Sequence, residues 1–177
     1  MKKTTFILCL LLICAGCGNK PDAGIPNLEV SSGQVPLEMI GRECGENGAF
    51  FVVSGFSMCM GTGIEKRYLP NGETIEFAFG DREPDKWTLT EHILKEGGEP
   101  KYTTETEGKD ITLILKDGRG SFVIEPNLRT ALSSNSKDYL PGNTLKGYRL
   151  LCSFGPDEFE YTFIIRGDAL FRMVVEE

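Results

Sequence analysis

Histidine is almost missing: the 177-residue chain holds one, His92. That excludes any site built on two imidazoles. Beyond residue 17 there is no Cys-x-x-Cys pair either, so the rest of the chain has no zinc-type ligand spacing. Basic residues are scarce, 19 Lys+Arg against 26 Asp+Glu, and the net charge of −7 excludes a general nucleic-acid binder, which needs a basic face for phosphates. The chain lacks Gly-x-Ser-x-Gly, a phosphate-cradling glycine loop and His-Glu-x-x-His. A nucleophilic cysteine needs a base beside it, and no spacing brings His92 to one. No catalytic constellation, metal or cofactor is therefore expected, although the many carboxylates leave a carboxylate-based hydrolase open. Disorder is excluded by a 40% apolar content, enough for a real core.

The start of the chain is the most legible segment. Met1-Lys2-Lys3 is a positive n-region, and Phe6 to Cys14 is a short apolar run. That run is about half the ~20 residues of a spanning helix and fits a secretory signal peptide. It ends Ile13-Cys14-Ala15-Gly16-Cys17. This ending resembles the lipobox of bacterial lipoproteins, with Ala15 and Gly16 in pattern and Cys14 where leucine is usual. The resemblance implies cleavage after residue 16 and lipidation of Cys17, with two or more acyl chains, which suffices for stable anchoring. Gly18, in place of an aspartate, implies sorting to the outer membrane. Loss of residues 1–16 removes Lys2 and Lys3 and takes the net charge from −7 to −9. Such a domain is repelled by an anionic lipid surface, so the lipid must hold it there.

Residues 17–36 carry Pro21, Pro26 and Pro36 among glycines without periodicity and read as a flexible tether, of ~20–25 Å r.m.s. reach. The other reading is a partly packed edge strand, which Val30 and residues 35–37 allow. From residue 37 to 177 the pattern is that of one all-β domain. Ile75, Phe77 and Phe79 alternate with Thr74, Glu76 and Ala78, the same period of two runs through Ile111, Leu113 and Leu115 and through Phe159, Tyr161, Phe163 and Ile165, and Leu170, Arg172 and Val174 alternate with Phe171, Met173 and Val175. Residues 50–53 and 122–124 are short aromatic or β-branched runs, and residues 87–94 suit a strand or a helical turn. Asn71-Gly72, Asp117-Gly118, Gly97-Gly98, Gly108, Gly155-Pro156 and Arg166-Gly167-Asp168 supply turns. An antiparallel meander closed into a sandwich or barrel follows. Residues 126–147 break the rhythm and read as a long loop with a helical turn near 128–132, serving as a binding loop or as a crossover between sheets.

After cleavage, Cys44, Cys59 and Cys152 remain. Export favours a disulfide, and the short Cys44–Cys59 loop closes at the least entropic cost, while Cys152 shares a strand face with Tyr148, Leu150 and Phe154. The acidic run Asp81, Glu83 and Asp85 beside Trp87 reads either as a solvated loop next to a core tryptophan or as a patch for a basic partner. The expectation is thus a lipid-anchored envelope protein acting as a non-enzymatic binding module, of inhibitor or immunity type, for a cationic protein. A lipocalin-like carrier of a small apolar ligand is the alternative.

Overall fold

The computed structural model describes residues 24–44, 52–80, 82–102 and 108–170. The leader, Cys17, Gly18, Asp81 and the expected strand over residues 170–175, apart from Leu170, lie outside them. Two five-stranded antiparallel sheets pack face to face, so the all-β expectation resolves to a sandwich. The first sheet runs β2 (Val35–Pro36), β1 (Leu28–Ser32), β4 (Thr74–Phe79), β8 (Arg119–Val123), β7 (Ile114–Lys116). The second runs β3 (Met39–Glu43), β10 (Asp157–Gly167), β9 (Thr144–Phe154), β5 (Lys86–Leu94), β6 (Lys109–Ile111). The chain passes back and forth between the sheets, so neighbours in sequence often fall in different layers.

Period-two alternation sets which side chains enter the core. Phe159, Tyr161, Phe163 and Ile165 of β10 point inward, as do Tyr148, Leu150, Cys152 and Phe154 of β9. They meet Ile75, Phe77 and Phe79 of β4 and Phe122 of β8. The Tyr148 and Phe163 rings stack at 5.0 Å, and Phe122 and Phe77 continue the cluster at 5.1 to 6.0 Å. Burying each such ring stabilises the fold by ~1.5–3 kcal/mol. Turn chemistry fixes the register. Asp117 and Gly118 both have positive φ, as a two-residue turn between β7 and β8 demands.

Four expectations need correction. The tether does not extend to residue 36: β1 pairs with β4 from Leu28 onward, because the alternation of Leu28 and Val30 with Glu29 and Ser31 buries one face. Of the run at 50–53, residues 50 and 51 lie outside the described residues, and residues 52 and 53 are helix rather than strand. These two open α1 (Val52–Gly61), in which Phe56, Cys59 and Met60 fall at helical spacing and pack on the outer side of the second sheet. Lys66 Nζ (2.7 Å) and Thr62 Oγ1 (2.9 Å) cap the helix by donating to the Cys59 carbonyl. The run through Ile111, Leu113 and Leu115 is split into β6 and β7, one in each sheet. Arg166-Gly167-Asp168 is not a hairpin tip: β10 continues to Gly167, Arg166 pairs with Glu96, and buried Asp168 accepts from Tyr68 Oη at 2.9 Å.

The expected Cys44–Cys59 disulfide is also absent, and Cys44, Cys59 and Cys152 are free thiols. Cys59 Sγ donates to the Thr162 carbonyl at 3.3 Å, and Thr162 lies opposite Ile40. Cys44 is four residues further along that edge, ~13 Å away at strand rise, whereas a disulfide needs Cα atoms within ~7 Å. Cys152 faces the core on the other side of the sheet. Burial pushes the Cys59 thiol up and takes Cys152 to about 12, and burial followed by the Glu160 and Glu158 carboxylates raises half-buried Cys44. A thiol titration of residues 18–177 at pH 8 is therefore expected to label only Cys44, slowly, and all three after denaturation. Fewer than three equivalents from the unreduced, denatured chain would mean that a disulfide forms.

Candidate functional site

The two outer faces of the sandwich differ. On the second sheet, α1 lies across β10 and β3. On the first sheet the outward positions of β1, β4 and β8 lie open: Glu29, Thr74, Glu76, Arg119, Ser121 and Val123 are exposed, and Ser31 and Ala78 half-exposed. A cleft of about 870 Å³ crosses this face, from the Gly33-Gln34 turn over β1 and β4 to β8.

Strand register places its charges. Glu29 is opposite Ala78, and Ala78 is opposite Arg119, so the two charges stand in one row with a methyl between them. Glu76 lies in the next row, between Ser31 and Ser121. It is thus a diagonal neighbour of Glu29, at ~7–8 Å, and of Arg119 on its other side. None of the three makes an ion pair or a side-chain hydrogen bond among the described residues. Two like charges held on a diagonal with no cation between them raise the local negative potential, and Ser31 and Ser121 beside them offer hydroxyls as donors or acceptors. Chemically, the cleft can seat a cationic group over Glu29 and Glu76 while Arg119 orients a neighbouring carboxylate or carbonyl.

The patch read from sequence is not assembled here. Asp81 lies outside the described residues. Glu83 is exposed, but Asp85 accepts from Gly155 N at 2.6 Å and so fastens the β9–β10 turn. Trp87 packs against the core and donates its indole N–H to the Leu113 carbonyl at 2.8 Å. Glu83, Asp85 and Trp87 do not line the cleft. Sequence alone does not single out Glu29 or Glu76: Glu29 falls inside the expected tether, and Glu76, an outward residue of an alternating run, has no visible neighbour until register pairs β1 with β4.

The long loop is also not a free appendage. It spans residues 124–143, shorter than expected because β9 begins at Thr144. It contains one 3-10 turn at Thr130–Leu132, where a helical turn was expected, and a second at Ser136–Tyr139. Its base is tied into the sandwich by buried polar groups. Asn127 Nδ2 donates to Glu91 Oε1 at 2.8 Å, and Tyr148 Oη donates to Glu91 Oε2 at 2.9 Å. Lys146 Nζ donates to the Glu125 carbonyl at 2.6 Å and Asn71 Oδ1 at 2.9 Å, with Glu91 Oε2 at 3.8 Å. Burial lowers the Lys146 pKa, and burial beside Glu91 puts Tyr148 well above the usual phenol range. Further out, Asp138 accepts from Lys101 Nζ at 2.5 Å and from Ser133 Oγ. Its burial works against ionisation, but these bonds outweigh it and hold the carboxyl below its ordinary value. Every polar atom of Glu91 and Lys146 thus has a partner, the mark of a structural clamp rather than a reactive pair.

Among the described residues no group of His, Cys, Asp and Glu is arranged to hold a metal ion. No protein-family model matches the chain, and neither a curated protein nor a solved structure is found to be similar to it.

Proposed function

We propose that this chain is a lipid-anchored protein of the bacterial envelope, attached through Cys17, and that its sandwich is a non-enzymatic binding module for a basic protein partner. The observation that carries the reading is the open face of the first sheet, where the unpaired Glu29 and Glu76 share one cleft. The negative charge of the whole molecule steers a cationic partner toward it, and the cleft gives that attraction a defined seat. The 124–143 loop adds little to the field, because Glu125 and Asp138 balance Arg129 and Lys137. A carrier of apolar ligands would need a chamber between the sheets, and there the stacked rings of Tyr148, Phe163, Phe77 and Phe122 occupy the described interior. The same observation favours inhibition or immunity by surface contact over transport.

The test uses the mature protein and an oligolysine peptide as the cationic probe. Glu29→Gln with Glu76→Gln is expected to weaken binding about tenfold, ~1.4 kcal/mol, and to flatten its salt dependence. Both sites are exposed, so the melting temperature is expected to hold. An unchanged affinity in the double variant would place the basic partner elsewhere. In cells, Cys17→Ser is expected to move the protein to the soluble fraction.

A further inference from the structure

The chain holds one uncharged stretch longer than any other, the eighteen residues 47–64, in a protein in which a quarter of the residues are charged. Its described part is α1 and the segment after it. The inward side of α1 is explained by packing: Phe56 and Cys59 are buried against Leu94, Leu145 and Ile164. Its outward side is not explained by the fold. Met58 is 51% exposed and Ile64 57% exposed, and between them run Gly61, Thr62 and Gly63, all exposed and uncharged. A helix on the surface of an acidic domain ordinarily carries its charges there; this one, Val52–Gly61, has none.

The place where the described chain begins bears on what lies against this face. Ile25 packs beside Gly41 of β3, the edge strand of the second sheet. Helix α1 packs on the same strand from the outer side, level with Ile40 and Thr162. If Cys17 carries the lipid, seven residues join it to Gly24, a reach of at most ~25 Å fully extended. The membrane then lies within that distance of the β3 edge. At that edge the outer side of α1 itself carries no charge, although Glu43, Glu65 and Arg67 nearby are exposed, and the charges of the cleft lie on the outer face of the other sheet.

We infer that the outer side of α1, with Met58 and Ile64, rests in the interfacial region of the lipid bilayer, so that the Glu29–Glu76 cleft faces the aqueous space. This rests on the lipid-anchor reading but not on the identity of the partner. The contact is shallow, of the kind made by interfacial helices, and adds to the anchor a fixed orientation. The lipid anchor alone does not set which face of the domain turns toward the head groups.

The test reconstitutes the mature lipidated protein in zwitterionic phospholipid vesicles with brominated acyl chains, which quench tryptophan on contact. Met58→Trp is expected to lose at least half of its added emission, while Val123→Trp, outward on the first sheet, loses none. Equal behaviour of the two variants in vesicle-bound protein would overturn the inference and leave the anchor standing. Protein that fails to sediment with vesicles would sink both. Protection of Met58→Trp that appears only after envelope proteins are added would assign this face to a protein and also overturn it.

Discussion

Replacing Glu91 by alanine is expected to cost the fold about 3–5 kcal/mol, the range for removing one partner of a buried pair. Glu91 is 1% exposed and Lys146 wholly buried, on neighbouring strands inside the sandwich. The substitution leaves the ammonium of Lys146 without its counter-charge. It also strips the acceptors from Asn127 Nδ2 and Tyr148 Oη, both on buried residues. At ~2–4 °C per kcal/mol for a domain of this size, the melting temperature falls by about 10 °C. The loss is not uniform. Asn127 accepts from Arg129 N, and its carbonyl accepts from Thr130 Oγ1, so the first 3-10 turn of the loop depends on where Glu91 holds it. Limited trypsin digestion below the melting temperature is therefore expected to cut after Arg129 and Lys137 in the variant and not in the parent. Glu91→Leu combined with Lys146→Met removes both charges and is expected to recover most of the melting temperature while leaving the loop cleavable. A single alanine variant within 1 °C of the parent would show that the pair carries no net stabilisation.

The same residues show how far the sequence could be read. Strands β4, β9 and β10 were legible because one face of each meets the core and the other meets solvent, charged groups or, at Leu145 and Ile164, helix α1, and period two encodes the first of these faces. Glu91 and Lys146 occupy inward positions in that pattern, and nothing local says that a carboxylate and an ammonium there meet across a strand pair. That information is in the register of β5 with β9, set by chain segments more than fifty residues apart. Strand β1 was obscured by the prolines and glycines around it, although its own alternation was present. Helix α1 was hidden because a short run of phenylalanine and valine suits a strand or a helix equally, and only the spacing of Phe56, Cys59 and Met60 separates them. The cleft was the least legible feature. Its charges come from β1, β4 and β8, each an ordinary outward residue until pairing sets them side by side.

Beneath α1 lies a second buried carboxylate, and its removal is expected to act locally. Glu160 is fully buried on the outer side of β10. Arg42 Nη2 donates to both of its oxygens at 2.9 Å, and Arg149 Nη2 reaches Oε2 at 3.4 Å. The helix rests directly on this group: a methyl at Gly55 would come within 2.7 Å of Glu160 Oε1 and 2.8 Å of Thr162 Cγ2. Glu160→Gln keeps the shape and removes the charge that holds two guanidinium groups together. Those groups are 20% and 15% exposed and gain some solvation, so the expected cost is about 2–4 kcal/mol, below that of Glu91→Ala. Repulsion between Arg42 and Arg149 then falls on β3 and on the seat of α1, while the sandwich core is untouched. Cys59 reports the outcome, since its Sγ is buried only while α1 is docked on Thr162. In Glu160→Gln the Cys59 thiol is expected to react with a maleimide at pH 7 at least tenfold faster than in the parent, with Cys152 still silent between the sheets. Joint exposure of Cys59 and Cys152 would mean that the helix and the sandwich unfold as one unit, and unchanged Cys59 reactivity would mean that α1 is held by Phe56 and Ile164 without help from the charges below it.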